Sequence, residues 1–179
     1  MAVALAVTLV SCGTDKGVAT TIRGRFVGSG VDTVYLERVS DNLTTPETIG
    51  RVALADNGGF EFEFGIDEGT SPRFYRLAFE GGRRPVTLVV APGDNIELES
   101  AGDIFLNYEV EGSEESALIK EFNRDYFTAV DRVARIAEGI DSGEGMHRRA
   151  YDAACEAMQA QLRFVGTHRD RLAAFYAIR

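Results

Sequence analysis

From Thr21 to Val110 apolar and polar residues alternate along the chain; from Ser113 onward the apolar positions recur at steps of three and four. Successive strand residues point to opposite faces, so strict alternation marks a half-buried strand. Phe60, Phe62 and Phe64 alternate with Glu61 and Glu63, which puts three rings on one face and two charges on the other. Tyr75, Leu77 and Phe79 oppose Phe74, Arg76 and Ala78, and Val86, Leu88 and Val90 alternate with Thr87 and Val89. Ile96 and Leu98 repeat the pattern against Glu97 and Glu99; Thr21–Val27, Thr33–Val39 and Ile104–Val110 are the remaining candidates. Turn residues separate these runs at Gly28-Ser29-Gly30, Asp56-Asn57-Gly58-Gly59, Gly81-Gly82 and Pro92-Gly93-Asp94-Asn95. About seven short strands, each with one apolar face, predict an antiparallel β-sandwich or a partly closed barrel.

The longer period beyond Gly112 predicts helices. Ser113 can accept from an unpaired amide of the first turn, and Glu114 and Glu115 suit the positive end of the helix dipole. Ile119, Phe122, Tyr126, Ala129, Val133, Ile136 and Ile140 then form one apolar seam over a helix of about 25 residues that ends near Gly139. After Asp141-Ser142-Gly143-Glu144-Gly145 a second helix begins near Met146 and carries Tyr151, Cys155, Met158, Leu162 and Val165 on one face. An antiparallel helical hairpin follows, with Cys155 as a small buried hydrophobe. Thr167-x-x-Asp170 resembles a capping box opening a third, short helix whose Leu172, Phe175, Tyr176 and Ile178 add apolar surface. A domain seldom ends by exposing such residues, so the polypeptide is expected to continue past them. The fold class is therefore α+β: a β-domain over residues 18–112 and a helical region over 113–179.

Ahead of these elements stands Ala2–Val10, nine small or apolar residues, followed by Ser11 and Cys12. A span of nine residues is too short to cross a bilayer as a helix, which takes about 20. It has the form of a secretory leader. Leu9-Val10-Ser11-Cys12 resembles the lipobox of bacterial lipoproteins, in which the leader is cut before the cysteine and the thiol becomes the lipid attachment atom. Several acyl chains hold a protein on a membrane where one would be marginal. This makes residues 1–11 a signal peptide, Cys12 the lipidation site and residues 12–17 a polar tether. No Lys or Arg precedes the apolar run, so Met1 is expected to be a start placed too far downstream.

Composition narrows the chemistry. A net charge of -9 and a pI near 4.8 oppose nucleic-acid binding, which needs clustered Lys and Arg. The carboxylates are scattered and read as a solvated surface rather than a cation site. Two cysteines, one of them in the leader, cannot build an internal disulfide framework. No Ser/His/Asp set, metal-ligand cluster or paired-carboxylate signature stands out around His147, His168 or elsewhere, so no catalytic, cofactor or metal residue is assigned. Gly28-x-Gly30 lacks the third glycine and the helix of a phosphate loop and reads as a turn. The phenylalanine stripe reads as core, and Arg83-Arg84, after two glycines, as an exposed hairpin tip rather than an anion clamp. Asn42-Leu43-Thr44 matches a glycosylation sequon but carries no weight in an exported bacterial chain.

Several phrases, taken in order, resemble a known family. They are Ile22-Arg23-Gly24-Arg25-Phe26, Val34-Tyr35-Leu36, Asn57-Gly58-Gly59-Phe60-Glu61-Phe62, Val90-Ala91-Pro92-Gly93-Asp94 and Val110-Glu111-Gly112-Ser113-Glu114. Together they are similar to the N-terminal DUF4369 domain of Bacteroidetes lipoproteins, over residues 18–175 or so. In that family the domain commonly precedes a helical linker and a thioredoxin-like domain of the peroxiredoxin or thiol-disulfide reductase type. The resemblance implies an accessory domain of an envelope thiol-disulfide oxidoreductase, cut short of its redox half. This chain has no Cys-x-x-Cys, so no catalytic residue is carried over. The alternative expectation is a complete surface-anchored module that binds a protein or glycan partner or self-associates. Either way the chain is expected in the cell envelope, held to a membrane by its N-terminal lipid.

Overall fold

A computed structural model describes residues 17–40, 45–139 and 143–178. The leader, Cys12, the Asn42-Leu43-Thr44 sequon, Ile140, Asp141 and Ser142 lie outside the described residues. The expected α+β class is observed: a sandwich of two four-stranded sheets, open rather than closed into a barrel, with helices along one side. One sheet has the order β4-β1-β7-β8, from Gly59–Ile66 (β4), Val18–Val27 (β1), Asn95–Ala101 (β7) and Tyr108–Glu111 (β8). The other has the order β3-β2-β5-β6, from Pro46–Ala53 (β3), Thr33–Val39 (β2), Arg73–Phe79 (β5) and Val86–Val90 (β6). Neighbouring strands are antiparallel except β1 and β7, which run parallel with Ile22 opposite Ile96.

The alternation sorts side chains as the sequence pattern requires. Ile22, Phe26, Leu36, Phe60, Phe62, Leu77, Leu88 and Leu98 fill the space between the sheets, with Phe64 half-buried beside them. The phenylalanine stripe is core. On the outer face of the first sheet, the parallel register sets Arg23 against Glu97 and Arg25 against Glu99, both solvated pairs of small energetic consequence.

Two local expectations change. Strand β3 was not legible, because it is an edge strand whose residues are mostly exposed and whose pattern is broken by Pro46 and Gly50. The continuous strand expected over Ile104–Val110 is instead a short helix, Ile104–Asn107 (α1), followed by β8. Asp103 causes the change: its carboxylate accepts from the amides of Phe105 and Leu106 and starts a helical turn where alternation alone reads as strand.

Strand β6 differs from the rest in that all five of its residues are buried. Val86, Leu88 and Val90 face the other sheet, while Val89 faces a second cluster with Val39, Phe74, Ile119, Phe122 and Tyr176. That second cluster is closed by helices Glu114–Ala137 (α2), Met146–Thr167 (α3) and Leu172–Ala177 (α4). Helix α2 runs against the edge strands β6 and β8 together. Ser113 caps it as expected, accepting from the Ser116 amide. Just before it, Gly112 has φ +84°, and a Cβ there would sit 2.0 Å from the Asn95 carbonyl oxygen, so only glycine allows this entry into the helix.

The hairpin of α2 and α3 forms, with the opposite face of α3 turned inward from the one expected. Ala153 and Ala157 are buried, whereas Tyr151, Met158 and Leu162 are exposed and Cys155 is only half-buried. Small alanines let the helices approach closely, and that outweighs the bulkier stripe. The capping box is also absent: Thr167 ends α3, and α4 begins at Leu172 without a cap from its own segment. Its Ala173 amide is taken instead by the Glu115 carboxylate of α2, at 2.8 Å. Of the apolar surface on α4, Tyr176, Ala173 and Ala177 are covered, while Phe175 and Ile178 stay exposed.

Tyr176 donates to Asn123 Oδ1 at 2.8 Å inside this layer, and the Asn123 amide faces Tyr108, whose hydroxyl is held well above the usual tyrosine range by burial. The folded state keeps that proton where an unfolded tyrosine loses it, near pH ~10. Stability present below that pH is therefore lost as pH rises through it, by about 1.4 kcal/mol per pH unit for one fully coupled group. Urea titrations between pH ~9 and ~11.5 should show this slope, and Tyr108→Phe should flatten it by about one proton. A second expectation concerns the α3 faces: Ala157→Leu should cost about 1–3 kcal/mol by overpacking, and Leu162→Ser less than about 0.5 kcal/mol, both read as shifts in urea midpoint.

Candidate functional site

A cleft of about 470 Å³ opens at one end of the sandwich, where three connections meet the side of α2. The first is the β1–β2 turn, with Gly28 and Ser29; the second joins β5 to β6 and carries Arg83 and Arg84; the third is Gly102–Leu106. Asp131 of α2 closes the wall. A tight 3-10 turn over Glu80–Gly82, with Gly81 and Gly82 at positive φ, reverses the chain after Phe79 and swings the two arginines back toward the cleft. The sequence places both on an exposed hairpin tip. Their residues are indeed exposed, but the guanidinium groups fold inward and are fixed there.

Arg83 donates to the Ser29 carbonyl at 2.9 Å and to the Gly30 carbonyl at 3.4 Å. Arg84 makes a forked pair with Asp131, at 2.7 and 3.3 Å, and lies 4.8 Å over the Phe127 ring and 5.5 Å over the Phe105 ring. Phe105 and Phe127 themselves meet edge to face at 4.9 Å. The floor is apolar, from the buried Phe79, Ile104 and Phe105. Asp103 is occupied in capping α1. The cleft is half apolar, and its charged lining is balanced, Arg83 and Arg84 being set against Asp103 and Asp131.

The other singled-out residues are not brought together here. Cys12, the one residue with a definite chemical expectation, lies outside the described residues. Cys155 sits on α3 beside Tyr151, whose hydroxyl is raised from its ordinary value first by the hydrogen bond between them. His147 is exposed at the start of α3, and His168 lies against the Phe164 ring at 4.7 Å. Among the described residues no three His, Cys, Asp or Glu side chains converge as a metal-ligand set, and no helix is long and apolar enough to cross a membrane. Asp131, Phe105 and Phe127 carried no signal: the pairing of Arg84 with Asp131 spans 47 positions, beyond any local pattern.

No family model matches the chain, and no curated protein matches it. Among solved structures, a crystal structure of (S)-allantoin synthase is similar over 53% of this chain, at 11% identity and a TM-score of 0.38. The chain spans 44% of that protein's length, and the likeness is too slight to carry a functional argument.

The ring packing of Arg84 and its ion pair can be separated. Arg84→Ala should destabilise by about 1–2 kcal/mol, because a planar cation leaves two rings. Asp131→Asn should cost less than about 1 kcal/mol, since the pair is more than a third exposed and solvent-screened. Chemical denaturation of both variants checks the order; a larger loss in Asp131→Asn would mean that the ion pair holds the wall.

Proposed function

We propose that the chain is an exported, lipid-anchored protein of the bacterial cell envelope whose folded body is an accessory, non-catalytic domain for a thiol-disulfide oxidoreductase partner domain. The anchor rests on the nine-residue leader Ala2–Val10 and the lipobox-like Leu9-Val10-Ser11-Cys12. Acylation of the Cys12 thiol would hold the body at a bilayer through the short polar tether. The nature of the partner rests on the resemblance to DUF4369 lipoproteins, in which a thioredoxin-like domain follows the helical segment.

The observation that carries the accessory reading is the outer face of α3. Tyr151, Met158 and Leu162 are 70%, 54% and 65% exposed, although the helix is packed through its alanine face. With the half-buried Cys155 they follow steps of four, three and four, the spacing by which one helix seats against another, while Val165, next in the series, packs against the inner cluster. Among the described residues nothing covers these three large side chains, and they suit an apolar partner surface.

Mass spectrometry of the membrane-extracted protein should find an N-terminus at acylated Cys12, and Cys12→Ser should leave the leader uncut and the protein unacylated. An unmodified mature terminus at another position would contradict the anchor. A photo-crosslinking residue at Leu162 should capture a thioredoxin-like domain bearing Cys-x-x-Cys. Adducts only to a second copy, or only to a protein or glycan of another kind, would replace the accessory reading with that of a self-associating or general binding module.

A further inference from the structure

We infer that the body stands upright on the bilayer, with the start of β1 at the lipid surface and the cleft at the opposite pole, facing water. This deepens the anchor reading given above and rests on it.

Two elements define the axis independently. Strand β1 enters at Val18, paired with Ile66 at the end of β4, and Thr21 lies beside Asn95 at the start of β7. The Gly93 amide donates to Thr20 Oγ1 at 3.0 Å and the Thr21 amide to the Asp94 carbonyl at 2.9 Å, so the entry point is fixed. Gly17 is held as closely, since a Cβ there would come within 2.5 Å of the Ile66 backbone. The same strand ends at Val27, next to the Gly28 and Ser29 that line the cleft. Its ten residues span about 33 Å. Helix α2 repeats the direction: it starts just after Gly112, which packs on Asn95, and reaches the cleft with Asp131.

The tether is shorter than this axis. From Cys12 to Gly17 the chain reaches at most about 20 Å when fully extended. Turning the cleft to the bilayer would need a tether that runs the length of the body, so that pose is excluded. Lying flat on the first sheet is opposed by charge. By alternation Glu61, Glu63, Glu97, Glu99, Glu109 and Glu111 share its outer face with Arg23 and Arg25, and Lys120 reaches Glu109 from α2. Anionic headgroups repel this excess of carboxylates within a Debye length of about 8 Å. The upright pose also gives the outer stripe of α3 a direction. Helix α3 returns along α2 from the cleft pole, and Arg171, just beyond it, pairs with Glu114 at the start of α2. A partner seated on Tyr151, Met158 and Leu162 therefore stands beside the body, not between it and the bilayer.

Energy transfer to the membrane tests the pose. The acylated full chain, carrying Cys155→Ala, is reconstituted in phosphatidylethanolamine–phosphatidylglycerol vesicles with a rhodamine-headgroup lipid as acceptor. A coumarin donor is placed on one exposed position at a time: Glu68→Cys beside the tether, Gln159→Cys on α3, or Asp56→Cys at the cleft pole. Transfer should be strongest from position 68, intermediate from 159 and weakest from 56, whose donor lies about 30 Å further from the headgroups than that at 68. Thermal melting establishes that each variant is folded. Strongest transfer from position 159 would mean that the body lies on its α3 stripe, and transfer from 56 as strong as from 68 that it has no fixed pose. Either result overturns the inference while the anchor stands. A chain that does not float with the vesicles would instead overturn the anchor reading, and the orientation with it.

Discussion

Strand β6 cannot be satisfied by a sandwich alone. Its five residues are buried on both faces, yet it lies at the edge of its sheet. An edge strand leaves backbone donors and acceptors unpaired, and burial makes each of them costly. Helix α2 answers both demands. Ser116 Oγ accepts from the Val89 amide at 2.9 Å and, with Ser113, donates to the Val89 carbonyl, so two hydroxyls stand where the next strand would be. Ile119 and Phe122 cover the outward side chain of Val89. The helix is thereby fixed in position along the sandwich edge, and everything after it in the chain packs against that placement.

The cleft and the outer stripe of α3 follow from the same placement. Asp131 and Phe127 meet the β5–β6 connection because α2, packed on β6 and β8, runs on to Ala137. Arg84 is caught between them and Phe105, and Arg83, one residue earlier, turns to the β1–β2 carbonyls instead. On the far side, α3 meets α2 through alanines, which leaves its bulkier residues facing away from the body. Glu115 and Asn123, two polar residues of α2, then seat α4 through its Ala173 amide and its tyrosine. One helix thus forms one wall of the cleft and supports the helix with the apolar outer stripe.

The sequence was informative wherever one face of an element decides its position. Alternation in β1, β2 and β4 to β7 identified the residues between the sheets, and Ser113 marked the start of α2 at the right residue. It misled where two interactions compete. Asp103 competes with alternation and wins by capping a turn; Ala153 and Ala157 compete with Tyr151, Met158 and Leu162 and win by close approach. The weakly patterned β3 shows that an exposed edge strand is held by its partner's hydrogen bonds more than by its own side chains. The parallel pairing of β1 and β7, and the meeting of Arg84 with Asp131, depend on topology and have no local signature. The lipobox-like motif is the opposite case: the expectation at Cys12 rests on residue types alone.

Sandwich and helices form one cooperative body, joined where Ser116 takes the place of a strand beside Val89. Native-state hydrogen exchange measures this directly at the Val89 amide, whose acceptor is the Ser116 hydroxyl. Val89 and the core amides of α2 should exchange only through global unfolding, with opening free energies equal to one another and to the denaturation value within about 1 kcal/mol. A Val89 amide that exchanges through a much cheaper opening, together with α2 and separately from β1 and β7, would mean that the helices are an appendage the sandwich does not need.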